Sequence, residues 1–235
     1  MMDFKELSKF FHKNGYVYIK DFFNPNLMDE CHDEITTHFK KDSTYKHDVS
    51  FIEKSKTDVI PWFPQIEGNN KFDGLEMDKR LCDLTGEILG PRWRSLYCMV
   101  MFSNVSSNGQ AWHQDCSPDN KKNFNLNRLV YTMDIDASTG GEISLIPGSH
   151  KKGLIPAGSA TEQIHDDIKI KPTKGSLLML HGHTWHRVHP IFNKIRVSTN
   201  FRCVPENTPD NVTDVAIYRN MLFRFSDGKI IAERN

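Results

Sequence analysis

The chain has 235 residues, and its 30 lysines and arginines balance 30 aspartates and glutamates; no long-range field gathers nucleic acid or an anionic membrane, so the expected partner is a small molecule. The charged opening, residues 1–6, lacks the apolar run of a secretory signal, and no stretch approaches the roughly 18 apolar residues of a spanning helix, so a cytoplasmic protein without membrane insertion is expected. Five scattered cysteines, without a CxxC pair, argue against both a disulfide framework and a structural zinc site.

In chain order, Phe4, Leu7, Phe10 and Phe11 recur at helical spacing, and Asn14-Gly15 supplies a stop signal. Residues 16–19 then read as a short strand. Asn24-Pro25 offers an N-cap and a first-turn proline, after which Leu27, Cys31, Ile35 and Phe39 lie four apart on one face of a second helix. Leu81, Leu84 and Ile88 mark a shorter third, stopped by Gly90-Pro91. Between the last two, residues 43–74 are polar and broken by Pro61, Pro64, Gly68 and Gly74, yet contain Trp62 and Phe63. A loop this long in a compact domain is usually functional or disordered, and the aromatics favour a lid over a mere linker. From residue 95 the pattern changes to short β-type runs at 96–102, 129–135, 143–146, 168–170, 177–180 and 195–201, with turn residues between them. The expected fold is one domain, mainly β with α: helical support and a lid loop over 1–94, a sandwich or jelly roll over 95–203, and a C-terminal extension over 204–235.

Within the β-rich part, Trp112-His113-Gln114-Asp115 is followed far downstream by His181, His183, His186 and His189, and then by Arg196. Two ligands from one segment and one from a distant strand make a set of two histidines and one carboxylate, which leaves open positions on Fe(II) for a co-substrate and O2. Residues two apart on a strand face the same side, so His113 and Asp115 can meet one ion. A rival triplet, His165-Asp166-Asp167, sits among alternating charges that read as a solvated strand edge, close in sequence to the late histidines, and is set aside. For the third ligand, strand parity over 185–189 puts His186 and Val188 on one face, opposite Trp185, Arg187 and His189. His181 and His183 fall in the turn after the apolar run 177–180, which favours His186.

Arg196, Ser198 and Asn200 alternate with Val197, Thr199 and Phe201, giving the last strand one polar face. A guanidinium fixed there is suited to gripping the far end of a dicarboxylate, with the Ser198 hydroxyl beside it. Substrate contacts are expected from the cavity mouth and lid: Trp62 and Phe63, with Cys116 and Asn200. Two other classes compete, a cupin-like protein that binds or senses a metal or small acid without turnover and a metal-assisted hydrolase. A degenerate binder is expected to have lost a ligand or the arginine, and a hydrolase has little use for Arg196, so the complete set favours an oxygenase.

Four stretches resemble the phytanoyl-CoA dioxygenase family of Fe(II)/2-oxoglutarate-dependent oxygenases: Trp112-His113-Gln114-Asp115, residues 141–150, Gly175 through His186 to Arg196, and the opening 11–17 with Asn24-Pro25. Together they cover nearly the whole chain. The resemblance implies a double-stranded β-helix (jelly roll, cupin-like) with N-terminal helices packed on one sheet. It implies iron held by His113, Asp115 and His186, 2-oxoglutarate gripped by Arg196, and Tyr131 against that co-substrate. It further implies oxidation of a small molecule by O2 with release of succinate and CO2. Related halogenases carry a small residue where Asp115 stands, so the carboxylate points to hydroxylation. Ser176 departs from the pattern by replacing the acid that commonly follows Gly175, and the chain is short for the family, which speaks against a CoA-sized acyl substrate.

Overall fold

The computed structural model describes residues 2–41, 47–224 and 229–234. Asp3 caps the first helix, α1 (Phe4–Asn14), by accepting from the Lys5 and Glu6 amides, and Gly15 ends it at φ +82°, a left-handed conformation that glycine adopts without steric cost. A side chain at that position would also strike His150 and Thr184. The chain then enters β1 (Tyr16–Ile19). The second helix, α2 (Pro25–Lys41), starts where Asn24 Oδ1 accepts from the Asn26 amide at 2.8 Å, and it buries Met28, Cys31 and Ile35.

The stretch expected to be a lid loop is instead built from elements. It holds α3 (Val49–Ser55), capped by Asp48, then β2 (Ile60–Trp62) and the short α4 (Asp73–Glu76); residues 42–46 lie outside the described residues. Pro61 is tolerated because β2 is an edge strand, paired only with the next strand of its sheet. Helix α5 (Lys79–Leu89), capped by Asp78, packs beside α1, where Ser8 donates to the Glu87 carbonyl.

The strands that follow are β3 (Arg94–Ser103), β4 (Gln110–Gln114), β5 (Leu126–Val130), β6 (Ile143–Leu145), β7 (Ile168–Ile170), β8 (Leu177–His181), β9 (His186–Val188) and β10 (Arg196–Val204). The C-terminal stretch is no mere extension: β11 (Val215–Tyr218), β12 (Met221–Arg224) and β13 (Lys229–Glu233) belong to the barrel, although residues 225–228 and 235 lie outside the described residues. Antiparallel pairing gives a six-stranded sheet, β1-β8-β5-β10-β3-β2, and a seven-stranded one, β13-β12-β11-β4-β9-β6-β7. The fold is a jelly roll with helices on the outer face of the six-stranded sheet. No helix among the described residues is long and apolar enough to cross a membrane.

Alternation along the six-stranded sheet separates two environments. On β10, Val197, Phe201 and Cys203 join Phe11, Met28, Ile35 and Leu84 in the core under the helices. Each large side chain buried there contributes about 1.5–3 kcal/mol. Arg196, Ser198, Asn200 and Arg202 point the other way, into the space between the sheets. Likewise Leu177 and Met179 of β8 pack under the helices, whereas Leu178 and Leu180 pack between the sheets. A strand buried on both faces reads as an uninterrupted apolar run, which is why 177–180 show no alternation in sequence.

Candidate active site

The centre of the inter-sheet space is built by one cross-strand pair. His113 on β4 stands directly opposite His186 on β9, and opposite Tyr218 on β11 at its other edge. Each imidazole is oriented by the carbonyl two residues earlier, His113 Nδ1 donating to Ala111 O at 2.7 Å and His186 Nδ1 to Thr184 O at 2.9 Å. A carbonyl can only accept, so Nδ1 carries the proton and the Nε2 lone pair is free. Asp115 follows immediately after β4, anchored by its amide to Gly182 O at 2.8 Å. Its Oδ1 lies 3.7 Å from His113 Nε2 and its Oδ2 lies 3.7 Å from His186 Nε2.

The three donor atoms lie within 4.8 Å of one another, close enough to share one ion. Burial holds the His113 imidazole down to about 3, reinforced by His186, so it is neutral at physiological pH and needs no deprotonation to bind metal. Burial alone would raise Asp115, but Arg202, His186, His113 and Asn127 together hold it below its ordinary value. Two imidazoles, one carboxylate and no thiolate form a donor set that fits Fe(II) and leaves further positions open.

That cavity measures about 270 Å³, and both sheets line it. Arg196 stands on its wall, 2 % exposed, with Nε donating to Gly141 O at 2.9 Å and Nη1 to Ser198 Oγ at 3.2 Å. Tyr131, just past the end of β5, lies with its ring 5.8 Å from the Arg196 guanidinium. Burial pushes the Tyr131 hydroxyl up to about 12, so it stays protonated beside Arg196. The parity along β9 is visible here: His186 and Val188 line the cavity, while His189 turns away to Ser144 Oγ at 2.7 Å. His181 stacks on Phe124, with His183 tilted against it, outside the centre, and His165 is on an exposed turn.

The residues expected to touch substrate divide. Phe63 lines the cavity, edge-on to Tyr97 at 5.4 Å. Trp62 does not; it is 5 % exposed, stacked on His38 at 3.8 Å in the core under the helices. Alternation along β2 turns Ile60 and Trp62 to the core and Pro61 to the cavity, and Phe63, the residue directly after the strand, takes the cavity side. Cys116 is fully buried against Gly182 and away from the cavity lining. Asn200 lines the cavity, but its amide is spent on Asn127 Oδ1 at 2.8 Å and on the Arg128 amide at 3.1 Å.

Sequence reasoning missed four contributors. Asn127 on β5 donates to Asp115 Oδ2 at 2.7 Å, and Arg202 on β10 places Nη2 3.6 Å from Asp115 Oδ1. Continuing the alternation of Arg196, Ser198 and Asn200 by one further step reaches Arg202. Thr213 and Asp214, in the 3-10 turn just before β11, complete the wall, and no motif marks them.

Comparison with known proteins agrees with this architecture. The model of the phytanoyl-CoA dioxygenase family matches residues 11–194. No curated protein sequence matches the chain. Among solved structures, the non-heme α-ketoglutarate-dependent epimerase SnoN from nogalamycin biosynthesis aligns with a TM-score of 0.69 at 17% identity, over 92% of this chain and 85% of that one. HygX from Streptomyces hygroscopicus, with nickel and 2-oxoglutarate bound, aligns at 0.70 and 16% identity, over 86% and 87%. The carbocyclase SnoK, also from nogalamycin biosynthesis, aligns at 0.66 and 15% identity, over 92% and 86%.

Proposed function

Because the chain belongs to the phytanoyl-CoA dioxygenase family of Fe(II)/2-oxoglutarate-dependent oxygenases, we propose that it hydroxylates a small molecule at the centre formed by His113, Asp115 and His186, with release of succinate and CO2. The observation that carries this reading is the presence of those three donors and Arg196 on the walls of one cavity. Bound iron, with O2 and 2-oxoglutarate, supplies the oxidising power for attack on a C–H bond. The chain's own groups do the rest. Backbone carbonyls hold the Nδ1 protons of His113 and His186, so each Nε2 meets the metal with its lone pair ready. Asn127 and Arg202 hold the Asp115 carboxylate in place. Arg196, with Nε and Nη1 already engaged, turns its remaining N–H groups to the far carboxylate of 2-oxoglutarate.

Met99, Met101, Leu129, Leu180 and Val188 give the cavity apolar walls that keep water from the reacting centre. Its volume of about 270 Å³ falls below the roughly 300–1,000 Å³ of pockets for drug-sized ligands, which supports a small substrate over an enclosed CoA thioester. The carboxylate at position 115 supports hydroxylation over halogenation.

Aerobic incubation with Fe(II) and 2-oxoglutarate is expected to yield succinate, accelerated by substrate. His186→Ala abolishes this and His165→Ala retains it. No succinate from the wild-type protein, or loss with His165→Ala but not His186→Ala, refutes the assignment. A product that gains one oxygen atom supports hydroxylation; a product of epimerisation or ring closure replaces that outcome while keeping the centre.

A further inference from the structure

Arg202 is a buried cation whose hydrogen-bonding capacity is only partly used. It belongs to a row crossing three adjacent strands: Tyr97 on β3, Arg202 opposite it on β10, and Asn127 on β5. Nε donates to Asn127 Oδ1 at 2.9 Å and Nη1 to Tyr97 Oη at 3.0 Å, two bonds from a group with five N–H donors. Nη2 is 3.6 Å from Asp115 Oδ1, beyond the roughly 3.2 Å limit of a good hydrogen bond. The side chain is 8 % exposed, and that exposure is to the cavity.

The charge balance leaves this guanidinium wanting a partner. On the reading above, on which this inference rests, Asp115 is committed to the metal and the far carboxylate of 2-oxoglutarate to Arg196. Arg196 lies six residues back on the same face of β10, about 20 Å along the strand at roughly 3.3 Å per residue. Asp115, 3.6 Å away, is then a counter-ion shared with the metal, and a buried charge only partly compensated is costly, so the complete complex has room for a further anion at Arg202. The surrounding walls define what carries it. Pro61, Phe63 and Met99 offer apolar surface, and Asp214, in the turn before β11, disfavours a second acid.

We propose that Arg202, seated by Tyr97 and Asn127, receives the carboxylate of the substrate, which makes that substrate a small monocarboxylic acid with an apolar body. A bidentate guanidinium–carboxylate pair supplies both affinity and orientation, fixing which carbon faces the centre.

The test uses monocarboxylates from acetate to decanoate, with benzoate and phenylacetate, each paired with its primary amide. They are titrated anaerobically into the protein loaded with Fe(II) and 2-oxoglutarate, following the visible charge-transfer band; the 2-oxoglutarate affinity is measured first in every variant. In the wild type the best-bound acid is expected to bind at least about tenfold tighter than its amide, the equivalent of about 1.4 kcal/mol. Arg202→Gln removes that preference, and Tyr97→Phe weakens it a few-fold. Should Arg202→Gln fail to fold, the Tyr97→Phe comparison decides on the same readout, and an unchanged preference there overturns the proposal. Amides that bind as well as acids, a preference that survives Arg202→Gln, or no saturable binding of any acid also overturns it. Loss of 2-oxoglutarate binding in Arg202→Gln would reassign Arg202 to the co-substrate. Failure of the underlying reading shows itself separately, as a wild-type protein that binds no 2-oxoglutarate in the presence of the metal.

Discussion

Replacing Gly141 by alanine tests the role of Arg196 without touching it. Gly141 has φ +74°, and a Cβ built there meets Arg196 Cδ at 2.4 Å, a full ångström short of ordinary contact at 3.4 Å. The arginine cannot retreat freely, because its Nε is tied to the carbonyl of Gly141 itself at 2.9 Å and the side chain is buried. A displacement of about 1 Å at the guanidinium breaks one charge-assisted hydrogen bond to the 2-oxoglutarate carboxylate, a loss of about 1.5–3 kcal/mol. That corresponds to a roughly 10- to 150-fold higher Kd. The backbone conformation adds about 1–2 kcal/mol of strain, lowering Tm by about 2–8 °C at this chain length. Gly140→Ala is the control: its φ is +70°, but its Cβ meets Pro190 O and the Phe192 ring, not Arg196. Anaerobic titration of the Fe(II)-loaded variants with 2-oxoglutarate should show weakened binding in Gly141→Ala alone, with thermal destabilisation in both. Equal Kd values in the two variants would refute the assignment of Arg196.

Three further outcomes follow from the geometry. Trp62→Ala empties a core position and should cost about 3–5 kcal/mol, a fall in Tm on the order of 10 °C, with 2-oxoglutarate affinity unchanged; calorimetry and the same titration check both halves. Phe63→Ala should do the reverse, altering ligand binding more than Tm, because Phe63 faces the cavity. The metal-free protein should lose stability on mild acidification. Burial lowers His113 to about 3 and also lowers His181 and His183, while the unfolded chain titrates near 6.5. Below about pH 6.5 the unfolded state therefore binds protons that the folded state refuses, and stability falls by up to about 1.4 kcal/mol per pH unit for each such histidine. A Tm that stays flat from about pH 7 to about pH 5 in melting curves would contradict that burial.

Legibility in the sequence followed periodicity. Helices α1, α2 and α5 announced themselves by apolar spacing and caps, and β10 by its alternation, because each presents one face to the core under the helices. Strand β4 did not, since four of its five residues are buried on both faces and its ladder with β9 is bulged; only its histidine marked it. The strands after residue 204 were missed because they are short and join the sheet by pairing with β4, a long-range contact that no local pattern reports. Aromatic content groups Trp62 with Phe63, whereas Trp62 ends a three-residue strand on its core side and Phe63, just after it, lines the cavity. Asn127 and Arg202 were invisible as a pair because their contact is cross-strand, between residues far apart in the chain.

The cap at Gly15 has a bearing on the order of assembly. Its carbonyl accepts from the His181 amide at 2.9 Å and from Thr184 Oγ1 at 3.0 Å, so the turn that delivers His186 is pinned by the end of the first helix. The proposed ligands His113 and His186 meet only once β4 and β9 have paired, and that pairing is flanked by β11 from the far end of the chain. Contacts of such long sequence separation form late and slow folding. On the proposed assignment, iron capture reports the pairing of β4 with β9, and a nascent chain still lacking β11 has an unfinished cavity wall beside His113.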